Sequence, residues 1–123
     1  MTSEEQIRDY KDLEVWKRSM QLARAVYRVG RRMPDSEKFA LTNQMQRAAT
    51  SIPSNIAEGY ARGSRKEYCQ FVKIARGSAA EVETQLLLAM TLEIVSRDDV
   101  AEALDLVAET RRMLHGLVCA LDG

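Results

Sequence analysis

The chain has 123 residues, a length that suits one domain. Hydrophobic residues make up 46% and charged residues 29%, which is the composition of an ordinary globular protein. The formal net charge is zero, and no apolar run approaches the roughly 18 residues that a membrane-spanning helix needs. Composition therefore excludes a spanning helix and lacks the positive surplus that helical nucleic-acid binders usually carry.

The N-terminal residues and the cysteines indicate the cellular compartment in which we expect the protein. The first five residues are acidic and polar, without the basic and apolar regions of a signal peptide. The two cysteines, Cys69 and Cys119, lie far apart and form no CxxC pair. We therefore expect a cytoplasmic protein with free thiols.

Charge is unevenly distributed along the chain. Residues 1–33 contain eight basic and five acidic side chains, a difference of +3. Residues 96–123 contain three basic and six acidic side chains, a difference of −3. We expect these two segments to attract each other as neighbours, within one subunit or between subunits.

A first helix is predicted over residues 12–32, with Asp12 as its N-cap. Its apolar residues form two lines at helical spacing. The line expected to face the core is Leu13, Trp16, Met20, Ala23 and Tyr27. The line expected to form an oligomer interface is Val15, Leu22, Val26 and Val29. Basic residues share a remaining side: Lys17, Arg24, Arg28 and Arg31.

A second helix is predicted over residues 37–61. Ser36 or Asp35 is the expected N-cap, because short polar side chains accept hydrogen bonds from the first amides of a helix. Gly59 and Gly63 are the expected stop signals at its other end.

Pro53 lies in the middle of this second helix. Proline in a helix interior removes one backbone donor and frees the carbonyl four residues back, here that of Ala49. Nearby hydroxyl groups can satisfy that carbonyl, so we expect one helix kinked at Pro53. The alternative is two helices broken at Ile52, with Pro53 at a first helical position.

Capping signals delimit the last two helices. Ser64 and Glu67 have the S-x-x-E form of a capping box, which predicts a third helix over residues 65–94. Ser96 precedes acidic residues that favour a first helical turn, which predicts a fourth helix over residues 98–121. Four helices with short connections predict an all-α, antiparallel up-down-up-down bundle as a single domain over residues 1–123.

Several polar residues fall on the expected inner faces of the second and third helices. We interpret them as a hydrogen-bonded network that fixes helix register around Pro53. The predicted members are Ser54, Asn55, Glu58, Ser78, Glu81 and Thr84. The alternative, a carboxylate metal site, is disfavoured because His115 is the only histidine and Arg112 occupies the place of an acid three residues before it.

No catalytic constellation is visible in the sequence. His115 has no sequence-based pairing with Cys69 or Cys119, so a thiol nucleophile is unsupported. The chain has no phosphate-binding Walker loop. We predict no enzyme activity, no cofactor, no metal and no small-molecule substrate.

Three segments resemble a known family. They are Tyr10–Trp16, Ser51–Gly59 and Gly77–Gln85. These segments look like the bacterial four-helix-bundle proteins encoded by 23S rRNA intervening sequences, the S23 family, and are similar to the accessory variability protein of diversity-generating retroelements. The resemblance implies a four-helix bundle that assembles into a ring of five subunits. It also implies nucleic-acid binding through basic residues as a candidate function. The biological role of the family is largely unassigned.

Two functions follow as hypotheses. In the first, a homo-oligomeric ring is a non-enzymatic scaffold that presents surfaces to another protein. In the second, the protein is an accessory factor that contacts the phosphates of RNA or DNA through basic residues. The predicted contacts are Lys17, Arg24, Arg28, Arg31, Arg47, Arg62, Arg65 and Lys66.

Overall fold

The computed structural model describes residues 7–122, so residues 1–6 and 123 of the predicted domain lie outside it. Within that range there are four α-helices and no strand. They are α1 (Glu14–Arg32), α2 (Leu41–Ala61), α3 (Arg65–Thr91) and α4 (Arg97–Asp122). Both α1 and α3 pack against α2 and against α4, which places α1 and α3 diagonally across the bundle. The predicted all-α four-helix bundle is confirmed.

Ion pairs between α1 and α4 show that the two helices run in opposite directions. Arg18 pairs with Glu109 at 2.8 Å, whereas Arg32 pairs with Asp99 at 3.1 Å. The basic first segment and the acidic last segment are therefore neighbours within one subunit, as the charge distribution predicted.

The core is aliphatic and receives side chains from every helix. Leu22, Ile56, Leu86 and Leu114, one from each helix, are all 0% exposed. Full burial of such a side chain contributes about 1.5–3 kcal/mol to folding. Burial of this kind, rather than helix propensity, holds the four helices together.

Pro53 is buried inside α2, which continues through it without interruption. The alternative of two helices broken at Ile52 is therefore wrong. The kink itself stays a prediction.

Hydroxyl groups around the proline bond to carbonyls next to the one that we expected. Ser51 Oγ donates to the Ala48 carbonyl at 2.7 Å, and Thr50 Oγ1 donates to the Arg47 carbonyl at 3.1 Å. Each hydroxyl reaches the carbonyl three residues back along its own helix. In the described chain, no side chain donates to the carbonyl of Ala49, so that part of the prediction is wrong.

Both N-caps expected for the later helices are confirmed. Ser64 Oγ accepts a hydrogen bond from the Glu67 amide at 3.1 Å. At α4, Ser96 Oγ accepts from the Asp99 amide at 3.2 Å, and Asp99 Oδ2 accepts from the Ser96 amide at 3.0 Å. This reciprocal cap lowers the pKa of Asp99, chiefly through the backbone hydrogen bond from Ser96.

The first helix begins later than its predicted start. Asp12 closes a short 3-10 turn, Tyr10–Asp12, that Asp9 caps, and α1 then starts at Glu14 without a side-chain cap. Asp12 accepts hydrogen bonds from backbone amides that precede it, which removes it from the α1 N-terminus.

The second helix also begins later, at Leu41 instead of residue 37. After Pro34, hydrogen bonds between residues three apart form a 3-10 turn over Asp35–Glu37. Ala40 then adopts φ −121° and ψ −107°, outside the helical region, and its side chain caps nothing. Ser36 and Asp35 are therefore not the caps of α2.

Positive φ angles mark two of the helix ends. Gly63 has φ +78° just beyond α2, so it is the stop signal, whereas Gly59 lies inside the helix. Glu93 has φ +59°, and the Ile94 amide donates to the Ala89 carbonyl at 3.0 Å, which closes α3 after Thr91. The sequence did not indicate this helix end, because the residue with positive φ after a helix is normally glycine and here it is a glutamate.

Gly59 lets α2 approach α3 closely. A Cβ added at Gly59 would lie 2.6 Å from Phe71 Cβ and 3.3 Å from the Tyr68 carbonyl oxygen. Gly77, by contrast, has no atom within 4 Å of an added Cβ. Of these two glycines, the one that the packing requires is Gly59.

We predict opposite effects of alanine at the two glycines. Gly59→Ala should lower the free energy of unfolding by about 1–3 kcal/mol, because the two helices must move apart. Gly77→Ala should raise it by about 1 kcal/mol through higher helix propensity. Urea unfolding followed by circular dichroism measures both, and equal stabilisation by the two variants would contradict the close contact.

Candidate functional site

The apolar line that was expected to meet a second subunit lies in the core of the chain itself. Val15, Leu22, Val26 and Val29 are 7%, 0%, 0% and 2% exposed. Met20 and Tyr27, from the line expected to face inward, are 46% and 43% exposed. The predicted interface of Val15, Leu22, Val26 and Val29 is therefore wrong. The other line is divided: Leu13, Trp16 and Ala23 are half-buried and pack against the core, whereas Met20 and Tyr27 are exposed.

Charge explains this orientation of α1. Met20 and Tyr27 share their side of the helix with Lys17, Arg24 and Arg31, all of which are exposed. Turning that side inward would bury charges without partners, which costs far more than exposing two apolar side chains. Met20 and Tyr27 are named the α1 patch below.

A second exposed apolar surface lies on α3. Ile74, Leu88 and Leu92 are 52%, 43% and 56% exposed. Leu88 and Leu92 are four residues apart, and Ile74 lies on the same side of the helix about 21 Å away, with the exposed Glu81 between Ile74 and Leu88. We name these three residues the α3 patch. α1 and α3 are diagonal in the bundle, so the two patches lie on helices that do not pack closely against each other.

Half of the eight predicted nucleic-acid contacts are engaged within the chain. Lys17 pairs with Glu14 at 3.3 Å, and Arg28 pairs with Glu102 at 3.0 Å. A cation held by a neighbouring carboxylate is less available for a phosphate.

Two more of the predicted nucleic-acid contacts, near the connection between α2 and α3, are also held by groups of the chain. Arg62 pairs with Glu58 at 2.8 Å and with Glu67 at 3.4 Å. Arg65 donates to the carbonyls of Leu121 and Ala120, at the negative end of α4.

The remaining four predicted contacts make no ion pair within residues 7–122. They are Arg24, Arg31, Arg47 and Lys66, and all are exposed. They lie on three helices, two on α1, one on α2 and one at the start of α3. The structure therefore does not bring the predicted basic set together as one surface.

The predicted polar network between α2 and α3 is also wrong. Ser54, Glu58, Glu81 and Thr84 are exposed, and Asn55 and Ser78 are half-buried. Asn55 Nδ2 donates to the Ser51 carbonyl at 2.7 Å, and Thr84 Oγ1 donates to the Ala80 carbonyl at 2.9 Å, each within its own helix. Helical rotation turns these positions outward, which leaves the α2–α3 interface largely apolar.

A groove between α3 and α4 collects cations that the sequence analysis did not select. Its volume is about 450 Å³, and its lining residues are Arg76, Glu83, Ala108, Arg111, Arg112 and His115. Glu83 pairs with Arg111 at 2.6 Å, so Arg76 and Arg112 remain in excess. The only sequence feature that could have indicated this cationic groove was the adjacent pair Arg111 and Arg112, since Arg76 is distant from them in the sequence.

His115 has partners on both sides of its ring. Its Nδ1 lies 3.4 Å from Arg76 Nη1, and its Nε2 lies 3.7 Å from Cys119 Sγ. In the contact with Arg76 the guanidinium is the donor, because arginine has no acceptor atom. The sequence alone gave no basis for pairing a cysteine with His115, and the structure brings Cys119, one helical turn away, into contact with its ring.

Cys69 lies in a different environment. It is buried, and its thiol donates to Asp122 Oδ1 at 3.3 Å. Burial raises the pKa of Cys69, and the hydrogen bond from its thiol lowers the pKa of Asp122. This thiol anchors the end of α4 and is disfavoured as a nucleophile.

A metal-ligand cluster and a membrane-spanning helix are both absent from the described residues. Residues 7–122 contain no group of three or more His, Cys, Asp and Glu side chains arranged to hold a metal ion. None of the helices in that range is both long and apolar enough to cross a bilayer.

Comparison with known proteins gives a family. The chain matches the 23S rRNA-intervening sequence proteins over residues 11–116. It belongs to this family. A protein of unknown function from the S23 ribosomal protein family of Bacteroides thetaiotaomicron has a similar crystal structure, with a TM-score of 0.78 and 25% sequence identity. The match covers 85% of this chain and 97% of that one. No curated protein matches the chain.

Membership of the 23S rRNA-intervening sequence protein family confirms the resemblance drawn from the three segments. The matched range includes α1, α2 and α3 and most of α4, so it contains both apolar patches and the α3–α4 groove. The relation to the retroelement accessory protein stays a prediction.

We predict that alanine scanning of α1 will follow the observed orientation. Leu22→Ala should lower the free energy of unfolding by about 2–5 kcal/mol, because it leaves a cavity in the core. Met20→Ala should change it by about 0.5 kcal/mol or less in dilute protein. Urea unfolding at a concentration where the protein is monomeric checks both, and a larger loss for Met20→Ala would restore the original assignment.

Proposed function

We propose that this family member is a non-enzymatic, self-assembling interaction module in which the α1 patch of one copy contacts the α3 patch of the next. The observation that carries the proposal is the pair of exposed apolar patches on diagonally opposed helices. Groups of exposed apolar side chains rimmed by polar residues mark candidate protein–protein contacts.

The position of the patches favours a ring over a two-fold dimer. A contact between two different patches is head-to-tail, and it gives a closed ring when the rotation between copies closes. A two-fold dimer would join like patches and leave the other pair exposed. The number of five subunits comes from the family resemblance alone.

Charge around the two patches supports the same contact. The α1 patch is bordered by Arg24, which is exposed and makes no ion pair within the described part of the chain. Glu81, which is likewise exposed and unpaired there, lies between Ile74 and Leu88 of the α3 patch. Opposite charges beside the apolar residues of the two patches favour a contact of α1 with α3 over contacts between identical patches.

Assembly of several copies into a ring would give the protein a scaffold role. A ring repeats any remaining surface around its axis, so weak binding of a partner at one subunit gains strength from the others. Cys69 and Cys119 are free thiols, which supports the expectation of a reducing cytoplasm.

We predict that a charge in the α3 patch dissociates the oligomer. Ile74→Glu should shift the mass towards the 13.9 kDa of one chain, because a carboxylate would be buried in the contact. Leu87→Glu is the matched control, since Leu87 is 44% exposed on the same helix but is rotated about 100° from Leu88. Sedimentation equilibrium at micromolar concentration measures both.

Three outcomes of that experiment contradict the proposal. A wild-type mass of 13.9 kDa would reject self-assembly. An unchanged mass for Ile74→Glu would remove the α3 patch from the contact, and dissociation by Leu87→Glu alone would place the contact on the α4 side of α3.

The α3–α4 groove supports a second candidate, nucleic-acid binding. Arg76 and Arg112 are the cations in excess there, and His115 lies beside them. Arginine presents several donors to phosphate oxygens, so a groove of this composition suits a polyanion backbone. This location differs from the helix 1 and helix 2 contacts that the sequence suggested.

We predict that RNA binding, where present, depends on this groove. The double variant Arg76→Gln and Arg112→Gln should flatten the dependence of log K on log salt by roughly one unit per lost phosphate contact. The pair Lys17→Gln and Arg24→Gln is the matched control on α1. Fluorescence polarisation with a labelled RNA at two salt concentrations measures the slopes.

A larger loss from the α1 pair would favour the original contact set. Absence of salt-sensitive binding by the wild type at low micromolar protein would reject nucleic-acid binding altogether.

A further inference from the structure

The two cysteines of the chain lie in opposite environments near the same end of the bundle. Cys69 is buried on α3, and its thiol is committed to the carboxylate of Asp122. Cys119 is exposed on α4, and its sulfur lies 3.7 Å from His115 Nε2. Neither proposed function uses the Cys119 thiol.

A thiol beside an imidazole is a nucleophilic pair. The thiolate is the reactive form of cysteine, and a neighbouring ring promotes it by taking the thiol proton or by donating a hydrogen bond to the sulfur. His115 and Cys119 are both exposed, so a reagent from solvent can reach the sulfur. Their spacing of four residues holds them together on one side of α4. Cys119 is therefore more than an isolated surface thiol.

The α3–α4 groove leads to this pair. Arg112, His115 and Cys119 are spaced by three and four residues, so they form one row along α4. Arg76 reaches the row from α3, with its Nη1 atom 3.4 Å from His115 Nδ1. His115 lines the groove of about 450 Å³, and Cys119 lies against the ring, one turn beyond the lining residues. A compound bound in the groove therefore lies next to the thiol.

The charges around the pair favour an anionic compound. The nearby acids Glu83 and Asp122 are each held in an ion pair with a basic side chain. Arg76 and Arg112 make no ion pair within residues 7–122. Arginine binds a carboxylate through two parallel hydrogen bonds, so the two arginines suit a compound that carries carboxylate groups.

We propose that Cys119 is a reversible modification site that forms a mixed disulfide with a small disulfide compound bearing carboxylates. The carboxylates bind Arg76 and Arg112, which brings the disulfide bond of the compound to Cys119. The thiol gives its proton to His115 or to water, and the thiolate forms a bond to one sulfur of the compound. The original disulfide bond breaks, and its other half leaves as a thiolate that takes up a proton. A second thiol reverses the exchange.

This modification site does not rest on the proposed assembly. None of its residues belongs to the α1 patch or to the α3 patch. It shares Arg76 and Arg112 with the groove of the nucleic-acid candidate, but exchange at Cys119 requires no polyanion. Failure of either proposed function therefore leaves the modification site to be judged by its own test.

The test is reaction of the full, reduced chain with oxidised glutathione, a disulfide that carries carboxylates on both halves. Mass spectrometry of the intact protein counts the adducts, and peptide mapping assigns each adduct to Cys119 or to Cys69. Cys119 should react at least about tenfold faster, because the Cys69 thiol is buried and burial raises its pKa. Cys119→Ser should abolish the fast adduct, whereas Cys69→Ser should leave it unchanged.

A double variant tests the role of the arginines. Arg76→Gln with Arg112→Gln should slow the reaction of Cys119 with oxidised glutathione about tenfold, because the attraction of the carboxylates is lost. The same variant should not slow the reaction with cystamine, a disulfide that carries amines instead of carboxylates. Lys17→Gln with Arg24→Gln, which removes two cations from α1, is the matched control and should change neither rate.

A single variant tests the imidazole. His115→Gln should slow the reaction of Cys119 with both reagents, since the partner of the sulfur is removed. The reaction of Cys69, measured in the same sample, should stay slow, and circular dichroism confirms that each variant is folded.

Three results would overturn the proposal. Equal rates at Cys119 and Cys69 in the wild type would show that the exposed thiol is not the preferred site. An unchanged ratio of the oxidised glutathione rate to the cystamine rate in the arginine variant would exclude the groove from the reaction. An unchanged Cys119 rate in His115→Gln would reduce Cys119 to an ordinary surface thiol.

Discussion

Burial of the Val15, Leu22, Val26 and Val29 line determines the rotation of α1 about its axis, and the exposed features of this helix depend on that rotation. The opposite side of α1 carries cations that are costly to bury, so only one orientation satisfies both requirements. The same rotation turns the α1 patch outward and brings Gly30 against α2. The exposed α1 patch and the close contact between α1 and α2 at Gly30 therefore arise from a single packing choice.

The contact between α2 and α3 is the second constraint. Gly59 allows the helices to approach at Phe71, and the continuous α2 places Pro53 in the core instead of a surface loop. With the apolar sides of both helices committed to this contact, Ile74 and Leu92 remain on the outer side of α3. The α3 patch is thus what the core leaves uncovered, in the same way as the α1 patch.

Helix number, topology and two N-caps followed from local sequence patterns, because Ser64 and Ser96 act within their own turns. The rotation of α1 about its axis could not be predicted from the sequence. Its two apolar lines both have helical spacing, and the sequence of one helix does not show which line the other helices bury. The end of α3 at Glu93 was missed because a left-handed glutamate has no sequence signal. The Arg76–His115 contact was missed because those residues meet only after α3 and α4 pack.

The zero net charge of the chain conceals a separation of charge on α4. Asp99, Glu102 and Glu109 face α1 and pair with its arginines. Arg111 and Arg112 lie on the other side, towards α3, where Glu83 balances only one of them. Because the acids of α4 are held by α1, they do not neutralise the α3–α4 groove at short range. A balanced composition is therefore compatible with a locally cationic groove, and net charge alone is a weak argument against contact with a polyanion.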